Sequence, residues 1–166
     1  MRVHIRFMIL RDMLEVLAIE NACFEYPWTR KDFKAAQMQP MCWGIVAEES
    51  GRVVGYMIYE LYRSKIVVLN FGIHPGCHRM GVGTQMINQM KKKLHEQRRR
   101  CLEMHVKDDN LPMHLFLRKH EFKAVAVVDE FYDNGQDAYY FKFKPFVKRD
   151  ELPFPPRMTT VWESRT

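Results

Sequence analysis

The sequence predicts an α/β (α+β) fold, a mixed and mostly antiparallel sheet with helices on both faces, and three observations carry that reading. The run IVVLNFGI (66–73), the helical stretch from Thr84 and the alternating run CLEMHV (101–106) form a strand–helix–strand crossover. Such a unit joins parallel strands and is nearly always right-handed. Two hairpin signals surround it: Trp43–Glu49 with Val53–Tyr62 about Glu49-Ser50-Gly51-Arg52, and Ala124–Phe131 with Ala138–Phe143 about Asn134-Gly135. Hairpin strands are antiparallel, so one parallel pair is expected inside an otherwise antiparallel sheet.

In chain order, residues 3–9 read as a first strand. Asp12 is a helix cap for a stretch reaching Cys23, with Met13, Val16, Leu17 and Ile19 as its apolar positions. Pro27 interrupts, and Thr29 with Asp32 three residues on opens a second helix. Tyr26, Trp28 and Phe33 gather here and read, from the residues alone, as a packing cluster. In the central unit Met86, Ile87, Met90 and Leu94 fall on one face of a helix. After KDDN (107–110), Pro112 sits near the first turn of a further helix that continues from His114 to His120. One domain over 1–145 is expected. From Pro145 the periodicity dissolves, and 146–166 reads as an extended, proline-containing tail.

The 166 residues suffice for one domain with a real core, and 47% hydrophobic with 28% charged content is ordinary for a soluble protein. No apolar run is long enough to span a bilayer, so no membrane association is expected. MRVHIRFMIL lacks the features of a signal peptide, which makes the cytoplasm the expected location. Cys23, Cys42, Cys77 and Cys101 show no paired spacing, as suits a reducing compartment. The net charge of +6 favours anionic partners. KKK (91–93) and RRR (98–100) read as solvated charge: no stacking aromatics lie among them in sequence, so nucleic-acid binding is not the expected primary function.

The chemistry concentrates in HRMGVG (78–83), between the first crossover strand and its helix. Open α/β sheets bind ligands at that end. Gly81 and Gly83 allow a ligand close to the backbone. The helix start offers unpaired N–H donors and a partial positive charge, an anion site suited to a pyrophosphate. His74, Cys77 and His78 lack a fourth ligand, and turn geometry explains them better than a metal. No metal is expected.

LNFGIHPGCHRMGVGTQMI (69–87) resembles the acetyl-CoA-binding segment of the Gcn5-related N-acetyltransferases, with Gly81 and Gly83 on the family's glycines and His78 where Gln or Arg is usual. The resemblance covers about residues 4–143. Within the family it leans to the RimI-type protein N-terminal acetyltransferases, through FEYPWT (24–29), LNFGI (69–73) and FYDNGQDA (131–138). It implies the acyl-CoA acyltransferase fold and acetyl-CoA as cosubstrate. The residues implied to hold the cosubstrate are Phe71, Gly72, Ile73, His78, Arg79, Met80, Gly81, Val82, Gly83 and Thr84, with Asn110 and Leu117 from the following helix. The implied acceptor is a protein N-terminal peptide, a ribosomal protein's alanine being a candidate, and the loop holding Tyr26, Trp28 and Phe33 is then implied to form one wall of the peptide groove, a second reading beside the packing cluster. Acetylation of a small amine, and acyl-CoA binding without catalysis, remain as alternatives.

Acetyl transfer to an amine needs a route for the amine's proton and donors for developing negative charge. In the ungapped RimI register His105 falls on the family's general-base glutamate and Leu117 on its general-acid tyrosine. The strand end itself brings His105 near the ligand. Glu103 lies two residues back on the same face. Tyr132 is the substitute for the missing tyrosine. An α-amine of pKa about 8 costs roughly 1.4 kcal/mol to neutralise at pH 7, against roughly 4.6 for a lysine. A histidine base suits the easier task.

Overall fold

Residues 1–145 are described by a computed structural model. Seven strands form one sheet: β1 (His4–Phe7), β2 (Cys42–Glu49), β3 (Arg52–Leu61), β4 (Lys65–Ile73), β5 (Cys101–Lys107), β6 (Lys123–Val128) and β7 (Ala138–Phe143). Their order is β1-β2-β3-β4-β5-β7-β6, and only β4 and β5 run parallel. The fold class read from the sequence is the one observed.

Helices α1 (Met13–Cys23) and α2 (Arg30–Gln37) cover one face, where Met13, Val16, Ile19 and Phe33 pack on Val46, Tyr56 and Ile58. Helices α3 (Val82–Glu96) and α4 (Leu111–Lys119) cover the other. The predicted α3 stripe, Met86, Ile87, Met90 and Leu94, is wholly buried there. At about 1.5–3 kcal/mol per large side chain, those four contribute roughly 6–12 kcal/mol.

The second helix opens as expected: Thr29 Oγ1 accepts from the Asp32 N–H, and the Asp32 carboxylate accepts from the Thr29 N–H at 2.7 Å. Asp12 differs. Its carboxylate caps no N–H of α1; it accepts from the Ile9 N–H at 2.8 Å and from the Arg6 guanidinium at 2.7 and 2.9 Å. Arg6 also reaches Glu48, so its guanidinium ties β1 to β2 and, through the buried Asp12, to the start of α1.

The last hairpin is also wider than the turn signal suggests. β6 ends at Val128 and β7 starts at Ala138, so Phe131 lies in a loop spanning 129–137. Asn134-Gly135 turns locally within it, with Gly135 at φ 79 and its N–H donating to the Tyr132 carbonyl at 2.8 Å. Two bonds fasten the loop to the end of β5: Asp108 N–H to the Asp137 carbonyl at 3.2 Å, and Gln136 Nε2 to Asp109 at 3.1 Å. The tail expected over 146–166 lies outside the described residues.

Candidate active site

The site begins with a break in the sheet. β4 and β5 pair only from Lys65↔Cys101 to Val68↔Met104, though β4 runs on to Ile73 and β5 to Lys107. The pairing stops at a bulge: Tyr59 faces Val68 but Ile58 faces Asn70, so Leu69 is the extra residue. Beyond it β4 has no strand partner toward β5, and apart from the Ile73 carbonyl, which His78 and Cys23 contact, its backbone on that side is left without a ladder partner. Phe71, Gly72 and Ile73 lie on this free stretch. Gly72 is required there for a second reason, because a Cβ would stand 2.6 Å from the Tyr56 ring.

The 78–83 loop follows at the same end. Gly81 holds φ +83 as the residue before α3, and the first backbone N–H groups of α3 belong to Val82, Gly83 and Thr84. Gly83 faces the Phe116 ring, 3.3 Å from where a Cβ would stand, and Phe71 lies 6.2 Å from Phe116 between ring centroids. The structure therefore brings Phe71, Gly83 and Phe116 together, with Gly81 two residues before Gly83 at the start of α3. Phe116 is a residue that sequence reasoning missed; its signal is the helical spacing Met113, Phe116, Leu117, His120.

Several expected contacts are backbone contacts at most. Val82 is buried in the core. His78 turns its Nε2 to the Ile73 carbonyl at 2.7 Å, inside the loop. Thr84 pairs its hydroxyl with His120 Nε2 at 3.1 Å. Arg79 sits at φ 63, and Met80 is largely exposed. Asn110 caps α4, its side-chain oxygen accepting from the Met113 N–H at 3.2 Å. Leu117 is a correction. It is fully buried in the core, where the helix turns it inward, so its side chain is packing and faces no ligand.

The opposite face of β5 carries the titratable groups. Leu102, Met104 and Val106 belong to the α3-side core, so Glu103, His105 and Lys107 alternate onto the α1 side. His105 is stacked on both faces, by Phe131 at 4.4 Å and 8° and by Tyr140 at 4.8 Å and 17°. The ring can thus offer only its edge, where both nitrogens are. Burial lowers its pKa below the ordinary histidine value; Glu103 opposes the shift and Lys65 reinforces it. A neutral imidazole results at physiological pH.

Glu103 is a second correction. It is buried, and its carboxylate is held by Lys65 at 2.8 Å and Lys142 at 3.0 Å. Burial alone would raise the carboxyl, but the bonds from Lys65, Tyr140 and Lys142 outweigh it and hold it at about 2. Such a carboxylate is a poor proton acceptor near pH 7. It braces the last paired stretch of β4 and β5.

Tyr132 enters the same groove as His105, its ring 5.0 Å from Phe131. Burial first, then Asp109, raises its pKa, so it stays a neutral phenol. Lys107 spans the groove, its ammonium 4.9 Å from the Tyr26 ring centroid and 5.6 Å from that of Tyr132. The 24–33 segment divides between its two readings. Phe33 is buried against Trp28 and Tyr56, whereas Tyr26 is exposed and available to a partner.

That segment is anchored from beneath by a cluster the sequence did not announce. Glu20 is buried, accepts from the Trp28 N–H at 2.7 Å and from Asn70 Nδ2 at 3.1 Å, and contacts the Tyr56 hydroxyl. Burial raises its pKa, while the Trp28 and Asn70 bonds oppose the rise. Among 1–145 no group of three metal-ligating side chains gathers; His74 is occupied by the Gly76 N–H at 3.1 Å.

Residues 13–122 match the acetyltransferase (GNAT) family. An uncharacterized N-acetyltransferase of Methanocaldococcus jannaschii is 25% identical over 156 residues, covering 92% of this chain and 95% of that one. The fold is that of the ribosomal-protein-S18-alanine N-acetyltransferase of Escherichia coli, with TM-score 0.80 and 17% identity over 92% of this chain and 100% of that one. Arabidopsis thaliana NAA60 in complex with acetyl-CoA superposes with TM-score 0.74 and 16% identity, over 87% of this chain and 100% of that one.

Proposed function

This chain belongs to the GNAT family of acetyltransferases, and from that premise we propose that it moves the acetyl group of acetyl-CoA to the α-amine of a protein N-terminus. One observation carries the reading: His105 is held edge-on between Phe131 and Tyr140, in a groove walled by Tyr26 and Tyr132, beside the break between β4 and β5. The likeness to an enzyme named for a ribosomal protein's alanine supports a peptide acceptor, with a ribosomal protein as a candidate. The four cysteines are free, and no helix among the described residues is long and apolar enough to cross a membrane. Both fit an enzyme working in the cytoplasm.

The residues around the glycine loop fit acetyl-CoA. The pyrophosphate belongs at the N–H groups of Val82, Gly83 and Thr84, where Gly81 turns the chain and Gly83 leaves room beneath Phe116. Bound acetyl-CoA supplies the thioester acyl group. The free stretch of β4 after Leu69 offers N–H donors for negative charge developing on the acyl oxygen. His105 accepts the proton of the attacking amine, directly or through a water. Glu103 and Tyr140 keep the strand and ring of His105 in place. With Leu117 buried, the departing thiolate takes its proton from water or from Tyr132.

The test is turnover with acetyl-CoA against a library of N-terminal peptides. Peptide acetylation at the α-amine, lost in His105→Ala with acetyl-CoA affinity kept, is the expected result. Turnover only on polyamines or aminoglycosides would assign a small-molecule acceptor. Tight acetyl-CoA binding with no turnover on any amine would overturn the catalytic reading.

A further inference from the structure

The end of α3 remote from the proposed cosubstrate site bears a dense positive charge that acetyl transfer does not use. Arg98, Arg99 and Arg100 follow the helix after Gln97, and the turn they form is docked on the β3–β4 turn: the Arg100 N–H donates to the Ser64 carbonyl at 2.7 Å, and Arg99 Nε to the Tyr62 carbonyl at 2.7 Å. Lys91 and Lys92 are spoken for by Glu121 and Glu96. Among the described residues no ion pair engages Arg63, Lys93 or the three arginines.

In sequence Lys93 and the three arginines have no aromatic neighbours, and Arg63 has only Tyr62. The fold supplies them from other elements. Phe7 on β1 and Trp43 on β2 lie 5.7 Å apart and are 55% and 45% exposed, and Lys93 stands 5.8 Å from the Phe7 ring. Tyr62 is 42% exposed and sits beside Arg99, which donates to its carbonyl. Exposed aromatic rings among unpaired cations are what a flexible polyanion with π-faced bases recognises. Phosphates meet the cations, and bases stack on the rings, at about 1–3 kcal/mol per base. A duplex keeps its bases stacked internally and leaves such rings without a use. An amphipathic membrane helix needs a free apolar face, but α3 has buried Met86, Ile87, Met90 and Leu94 in the core.

We propose that the Phe7–Trp43 pair and the Arg98–Arg100 turn form an accessory binding surface for single-stranded nucleic acid. α3 has 15 residues, so at 1.5 Å per residue this surface lies about 22 Å from the glycine loop. Binding there leaves acetyl transfer untouched and brings the enzyme to a nucleic-acid-bearing assembly where its acceptor is presented.

Fluorescence anisotropy with labelled twenty-nucleotide oligouridine and oligothymidine tests this. Five phosphate contacts give a log–log salt slope of about −3.5, so affinity should fall about 100-fold between 50 and 200 mM KCl. The triple variant Arg98→Gln/Arg99→Gln/Arg100→Gln should flatten that slope by about 2. Phe7→Ala/Trp43→Ala should weaken binding about tenfold or more with the slope unchanged. Both variants should retain wild-type peptide acetylation, which also certifies their fold. Tighter binding of oligouridine marks RNA as the source, and of oligothymidine DNA. No binding at 50 mM KCl overturns the proposal. So does an aromatic variant that binds as wild type, which would leave a plain polyanion surface that heparin fills equally. Stronger partitioning onto phosphatidylserine vesicles than onto either oligonucleotide would assign the surface to a membrane instead.

Discussion

Replacing Glu103 by Gln separates a bracing carboxylate from a proton acceptor, because the two roles predict opposite losses. The carboxyl falls from an ordinary 4.5 to about 2 in the folded chain. At 1.36 kcal/mol per pH unit this is about 3 kcal/mol in favour of the folded state. The folded pKa is the lower one, so this stability is complete above about pH 4.5 and is lost as pH falls through about 2. Gln keeps the shape but cannot balance Lys65 and Lys142, so about 3 kcal/mol should disappear at pH 7. For a chain of this size that lowers Tm by about 6–12 °C. Catalysis should suffer far less. Glu103 raises the His105 pKa, so its removal moves the acid limb of the rate profile to lower pH and leaves kcat at pH 8 within about threefold. Calorimetric melting and initial rates on an acetylatable peptide measure both quantities. A hundredfold fall in kcat in a variant that melts like the wild type would refute this division of labour and make Glu103 the base.

His105→Ala should lower kcat by about 10²–10⁴-fold with acetyl-CoA affinity kept. The wild-type rate should rise with pH through an apparent pKa below 6.5, the direction burial imposes, and His105→Glu should move that limb lower still, as paired pH–rate profiles will register. Gly83→Val presses on Phe116 and screens the helix N–H groups; titration calorimetry should show acetyl-CoA binding weakened about tenfold, ~1.4 kcal/mol, in a protein that still melts cooperatively. Leu117→Tyr places a larger, polar side chain in a fully buried site, so thermal melting should report a loss of about 1–3 kcal/mol and kinetics no gain in kcat. A kcat gain there would mean that α4 rotates in solution to present residue 117 to the cosubstrate.

What was legible in the sequence divides along a physical line. Local pattern fixes the elements: the α3 stripe, the Thr29–Asp32 box and the β4–α3–β5 crossover are short-range facts, and each stands in the structure as read. Gly81 was legible as a glycine that lets a ligand near the backbone, and the structure adds a second reason, a backbone at φ +83 that excludes most other residues. The roles of Glu103 and Leu117 were not, because neither depends on its neighbours in sequence. Glu103 is an ion-pair residue only because Lys65 and Lys142, from β4 and β7, arrive on either side of it. Leu117 is inward-facing because of the pitch of α4 over the sheet, which no one-residue register can fix when the helix offers Phe116 and Leu117 side by side. The stack on His105 has the same origin. Tyr140 is its ladder partner across β7, and Phe131 reaches it only because the β6–β7 connection is a long loop fastened to Asp108 and Asp109. A tight Asn134-Gly135 hairpin would have paired Phe131 into the strand and left the imidazole open on that face. The departure from the turn signal is therefore the feature that shapes the base's surroundings, and shortening this loop should open the His105 ring to solvent while the sheet itself remains folded.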